Sequence, residues 1–106
     1  MVSQEDGATV VKCDGMFDLH NCKELHDLLM DAVGSGADVV VDMVNTAYID
    51  TAVLADLATA ANKMIARGKR LKVRVAEPSH PHRTLQITGF SVVMDVIASP
   101  KEQPPA

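Results

Sequence analysis

The run Asp38-Val39-Val40-Val41-Asp42-Met43-Val44 decides the fold class. Three consecutive β-branched residues suit a central strand buried on both faces, because a strand open to water on one side would alternate apolar with polar positions. Tyr48 and Ile49 carry the apolar stretch on to Asp50. The period then changes. Leu54, Leu57, Ala58, Ala61, Met64 and Ile65 recur at spacings of helical type, which predicts an amphipathic helix over residues 51–67. Gly68 ends it, and the basic residues nearby complement the negative end of its dipole.

Toward the C-terminus, residues 71–75 alternate apolar with basic side chains as a half-exposed strand would, and Pro78 closes that stretch. A shorter helix is expected over residues 81–88, with Leu85 facing inward and Gly89 as its stop. Residues 92–97 suit a final strand and a helix start equally well. Toward the N-terminus, Cys22, Leu25, Leu28, Leu29, Ala32 and Val33 form one apolar helical face, with Asn21 as N-cap and Gly34 as terminator. Residues 8–13 read as a short valine-rich strand, and Asp14-Gly15 offers a hairpin turn into a second short strand around Met16 and Phe17. Strand and helix in this alternation give an α/β domain with a mixed sheet: an N-terminal antiparallel hairpin, then parallel strands joined by right-handed crossovers and packed against helices. The expected organisation is a flexible N-terminus over residues 1–7, one domain over residues 8–98 and a disordered tail over residues 99–106, which holds three prolines.

The chain has 106 residues, of which 47% are hydrophobic, enough for one ordinary core and too few for two. Only 3% are aromatic and the net charge is −4, so a nucleic acid or an anionic membrane would meet few stacking rings and a field of the wrong sign. No nucleic-acid or membrane partner is expected. The polar, acidic start lacks the pattern of an export signal, and no apolar run approaches the roughly 20 residues that span a bilayer. A cytoplasmic protein is expected. Cys13 and Cys22 have no metal-ligand or CxxC spacing and read as two free, buried thiols, with a redox pair as the minor alternative.

Motifs for catalysis are missing. The chain has no phosphate-cradling glycine loop and no nucleophile elbow, and no nucleophile, base and orienting group can be named together, so neither an enzyme nor a cofactor is expected. His80 and His82 flank Pro81 at a spacing unsuited to zinc and read as a solvated loop that opens a helix, while His20 and His26 point to different faces. The carboxylates say more. Asp14 and Asp18 flank the expected hairpin and its loop, Asp42 lies in the central strand, and Asp50 stands at a strand-to-helix junction before Thr51. A carboxylate or hydroxyl there is ordinarily an N-cap, worth about 1 kcal/mol. It can equally hold a phosphate at the positive end of the helix dipole, and residue type alone does not choose.

Five fragments, in order, resemble the STAS domains (sulfate transporter and anti-sigma-factor antagonist), especially the small free-standing bacterial antagonists. Gly15-Met16-Phe17-Asp18-Leu19 is similar to the family's G-x-[LF]-D, and Asp38-Val39-Val40-Val41-Asp42-Met43 to its V-V-L-D-L strand. Tyr48-Ile49-Asp50-Thr51-Ala52-Val53-Leu54 resembles its signature [FY]-[IM]-D-[ST]-[SA]-G-L. Gly68-Lys69-Arg70-Leu71 and Leu85-Gln86-Ile87-Thr88-Gly89-Phe90 are similar to its G-x-x-L and L-x-[IL]-T-G-[LF].

The resemblance implies a partner switch. The antagonist binds an anti-sigma factor that is itself a serine/threonine kinase, which frees a sigma factor for transcription, and phosphorylation at the start of the second helix ends the docking. On that pattern Thr51 is the candidate phosphorylation site, and Asp18, Asp50, Thr51, Ala52 and Val53 are the candidate partner-binding residues. Arg67, Lys69 and Arg70 are candidates for a charged rim, although a helix C-terminus already accounts for them. Two positions depart from the family. Ala52 stands where phosphorylated members usually carry the acceptor hydroxyl, and one step along a helix turns a side chain by about 100°. Val53 replaces a common glycine. An unphosphorylated STAS-like accessory or scaffold subunit, bound to a transporter or another protein, is therefore the main alternative. A small-molecule sensor is a third. The sequence leaves open whether the chain forms a homodimer.

Overall fold

The structure, a computed structural model, describes residues 2–17 and 22–100. In chain order the elements are β1 (Val2–Glu5), β2 (Ala8–Lys12), β3 (Gly15–Phe17), α1 (Cys22–Gly34), β4 (Asp38–Met43), β5 (Thr46–Ile49), α2 (Thr51–Ile65), β6 (Leu71–Glu77), α3 (His80–Thr88) and β7 (Met94–Pro100), with a 3-10 turn at Phe90–Val92 before β7. The main sheet runs β1-β2-β4-β6-β7, and β3 pairs with β5 in a small second sheet. The β1–β2 pair is antiparallel, whereas β2–β4, β4–β6 and β6–β7 are parallel. This is the mixed α/β sheet expected from the sequence, with β4 at its centre.

Burial divides the sheet into two faces. Val11 and Cys13 of the N-terminal segment, Val39, Val41 and Met43 of β4, Leu71, Val73 and Val75 of β6 and Met94 of β7 join one core with Leu25, Leu29, Ala32 and Val33 of α1, Val53, Leu57, Ala60, Ala61 and Met64 of α2, and Leu85 of α3. All three helices thus cover the same face. Val10 and Val40 point the other way, yet are buried as well. Lys72 is the register partner of Val40, and it lines with Arg74, Glu5 and Ile97 a shallow cleft over the two valines. Long charged side chains lay their methylene stems on apolar surface in this way while the heads stay in water. The valine run of β4 is therefore buried on both faces, by helices on one side and by snorkelling side chains on the other.

Several boundaries differ from expectation. The antiparallel hairpin turns at Asp6 and Gly7, both at positive φ, and joins β1 to β2. Asp14-Gly15 makes no hairpin: β3 leaves the main sheet and runs parallel to β5. Aspartate-glycine has the same turn chemistry at both places, and β1 wins because all four of its residues find partners along β2. Residues 2–5, expected to be flexible, are accordingly a strand. Tyr48 and Ile49 belong to a separate strand, since the chain turns at Val44-Asn45, where the Val44 N–H donates to Asp42 Oδ1 (3.1 Å). Ser99 and Pro100, placed in the tail, extend β7 opposite Ala76 and Glu77. The buried stripe of α2 is Val53, Leu57, Ala60, Ala61 and Met64, with Ile65 exposed, so the helix is rotated from the expected face. Alanines around much of its circumference make the period ambiguous. The expectations for Asp18, His20, Asn21, the side chain of Cys22 and residues 101–106 lie outside the described residues.

Candidate functional site

β5 ends at Ile49 and α2 begins at Thr51, so Asp50 alone makes the turn between strand and helix. Its backbone is extended, and its carboxylate Oδ1 accepts from the N–H groups of Ala52 (3.0 Å) and Val53 (3.3 Å). These are two of the donors that a helix start leaves unsatisfied. Asp50 is thus the N-cap of α2. Thr51, freed from capping, sits exposed at the first position of α2, and its hydroxyl has no partner among the described residues. Ala52 is half-buried and Val53 is fully buried in the core. Of the candidate contact residues, Val53 therefore supplies packing and no outer surface.

A group missed in the sequence completes the turn. His80, the first residue of α3, stacks on Tyr48, with ring centroids 4.6 Å apart and planes inclined by 23°. Its Nδ1 accepts the backbone N–H of Ile49 (3.3 Å). The neutral ring with hydrogen on Nε2 is the form that can do this. α3 itself starts on Ser79, whose Oγ accepts from the His82 N–H (3.1 Å), with Pro81 in the first turn. Serine before a proline-containing helix start was a legible signal for that cap. No sequence signal could pair His80 with a strand 31 residues away. Between β5 and α3 lies an open cleft of about 380 Å³ lined by Val44, Asn45, Thr46, Ala47, Ala76, Ser79 and His80.

The other singled-out residues have structural duties. Asp42, besides accepting from Val44, lies 3.7 Å from Arg74, which also reaches Glu5 (3.4 Å). His26 Nδ1 and Asp56 Oδ1 pair at 2.7 Å and tie α1 to α2. Arg67, Lys69 and Arg70, the candidates for a charged rim, lie past the C-terminal end of α2, at the opposite end from Thr51. Arg67 Nη1 donates to the Val33 carbonyl and Lys69 Nζ to that of Gly36 (2.9 Å), which satisfies orphan acceptors at and after the end of α1. Arg70 holds Asp95 (2.8 Å) and the Val92 carbonyl (3.2 Å) at the entry to β7. Burial pushes the Cys13 thiol up to about 12. Its Sγ lies 3.9 Å from the Val11 carbonyl, and Thr46 Oγ1 donates to the Cys13 carbonyl. Among the described residues no His, Cys, Asp and Glu cluster could hold a metal ion, and no helix is long and apolar enough to cross a membrane.

The family model described as Mlab, STAS domain, matches residues 1–97. The chain belongs to the STAS family. The STAS fold is shared with solved structures at low sequence identity. An anti-sigma factor antagonist from Mycobacterium paratuberculosis superposes with a TM-score of 0.83 at 20% identity, over 92% of this chain and 82% of that one. The unphosphorylated form of the anti-sigma factor antagonist SpoIIAA gives 0.75 at 11% identity, over 93% and 86%. No curated protein matches the sequence. Within this STAS domain the signature Tyr48 to Leu54 is the whole passage from strand to helix start, and Asp50 and Thr51 are its turn.

Proposed function

We propose that the chain is a cytoplasmic bacterial anti-sigma factor antagonist without enzymatic activity of its own. It binds an anti-sigma factor of the serine/threonine kinase type through the turn Asp50–Thr51 and the exposed side of α2, with Asp18 and Ala52 contributing to the contact. The observation that carries this reading is the placement of Thr51: exposed at the head of α2, with capping already done by Asp50. A hydroxyl so placed can enter a kinase without unravelling the helix. Phosphate there would add a charge of about −1.5 to −2 beside the Asp50 carboxylate, inside the contact surface, and repulsion with desolvation would end the docking.

Ala52 favours a second reading. It lacks the hydroxyl at the position where phosphorylated members usually carry it, which suits an unphosphorylated accessory or scaffold subunit holding a transporter or other protein constitutively. Affinity capture from a lysate of the source organism, with wild type and Thr51→Asp as baits, separates the two. Recovery of an ATP-binding kinase-fold protein by wild type alone supports the switch. Recovery of transporter subunits, or of the same protein by both baits, sinks it.

A further inference from the structure

The turn that presents Thr51 is held from two sides. On the helix side, Asp50 ties the turn to α2 through the Ala52 and Val53 N–H groups, and the Leu54 N–H donates to the Asp50 carbonyl (3.1 Å). These bonds are local and would travel with α2 wherever it sat. On the strand side, β5 pairs with β3 and Ile49 is buried in the core, and the tether to α3 is the Ile49 N–H, which donates to a ring at the head of that helix. We propose that His80 is the positioning residue of the Asp50–Thr51 turn, fixing through Nδ1 and the Tyr48 stack where Thr51 stands relative to α3 and the sheet.

The geometry restricts the ring in two ways. Stacking on Tyr48 sets its plane, and acceptance from Ile49 sets its tautomer, leaving hydrogen on Nε2. Both contacts fall on residues directly before the cap, so losing them removes the tether to α3 while β3 pairing, the buried Ile49 side chain and the Asp50 cap remain. Protonation of Nδ1 replaces the lone pair with a hydrogen and abolishes acceptance. The interaction belongs to the neutral ring. The ionisable groups around the ring are the Tyr48 phenol stacked on it, the Asp50 carboxylate at the end of the same turn, and Glu77, His82 and Arg83, which line with His80 an open cleft of about 470 Å³. The functional weight of this positioning rests on the proposed use of Thr51, but the positioning itself is testable on the chain alone.

The experiment is nitrogen-15 NMR with amide hydrogen exchange on the full chain, comparing wild type, His80→Phe and His80→Asn. Phenylalanine keeps a ring for Tyr48 and removes the acceptor, whereas the asparagine amide oxygen can stand near Nδ1 without the ring. Wild type should show the Nε2–H tautomer and a protected Ile49 amide. His80→Phe should lower that protection factor by about tenfold or more and shift the Ala52 and Val53 amides, and His80→Asn should restore most of it. Equal Ile49 protection in all three proteins, or an Nδ1–H tautomer in wild type, overturns the proposal. If His80→Phe fails to fold, the wild-type tautomer and the Ile49 protection in His80→Asn decide alone. A displaced turn in His80→Phe with unchanged capture of the wild-type partner supports the positioning and instead sinks the Thr51 switch.

Discussion

Asp50 and Thr51 are neighbours with opposite duties, and the difference is measurable. Removing the Asp50 carboxylate leaves two helix-start N–H groups without their acceptor, so Asp50→Ala should lower unfolding free energy by about 1 kcal/mol in urea titration. Thr51→Ala, at an exposed position with no partner among the described residues, should stay within about 0.5 kcal/mol of wild type. The reverse order would mean that Thr51 is the cap. Cys13 gives a second test. Its thiol is buried beneath the sheet, and burial raises its pKa from about 9 to about 12. Folding therefore favours the protonated thiol. Stability from this group is complete below about pH 9 and falls by roughly 1.4 kcal/mol per pH unit as pH rises toward about 12, because only the unfolded chain ionises there. Alkylation at pH 8, followed by peptide mapping, should leave Cys13 unmodified in the native chain and modified in urea. At this scale the sequence was legible where a residue acts locally. Asp50 as a cap follows from type and position, while His80 as its counterpart depends on a contact that only the folded chain creates.

Among the elements, α2 matters most because it carries both core and candidate site. Leu57 is fully buried at its centre, and Leu57→Ala removes transfer energy and leaves a cavity, with an expected loss of about 2–5 kcal/mol. Ile65, exposed at the last turn, should tolerate Ile65→Ser within about 0.5 kcal/mol. Denaturation of the two variants side by side tests the rotation of the helix, since the periodicity read from sequence put Leu57 and Ile65 on the same face. The existence and order of the helices were legible from spacing and stop signals such as Gly89, which adopts the left-handed conformation expected of a glycine C-cap. Rotation was not legible, because Ala55, Ala58, Ala60 and Ala61 fit either side of a helix equally well. The hairpin was legible as a device and misplaced as a location. Asp6-Gly7 and Asp14-Gly15 carry the same turn signal, and the long pairing of β1 with β2 selects the first.

Across the whole molecule, protection should follow position in the sheet. β4 lies at the centre with neighbours on both sides, and its valines are buried on both faces, so its amides should exchange only through global unfolding. β1 is an edge strand exposed at every residue, and its amides should exchange by local opening, orders of magnitude faster. Native-state exchange that found β1 and β4 equally slow would show the edge to be covered in solution. The parallel strands also give the molecule two poles. Asp50, Ser79 and the turn after β4 gather where strands end, whereas Arg67, Lys69 and Arg70 clasp backbone carbonyls where strands begin, about seven residues of β6 away. Roughly 20 Å of strand between them puts the two sets beyond the range at which substitutions usually interact. Selection can then act on the two ends as separate traits: a lineage that acquires a destabilising change at the Thr51 end to suit a new partner can recover its fitness with mutations around the arginine clasp. Recognition in such a chain is free to diverge faster than its architecture.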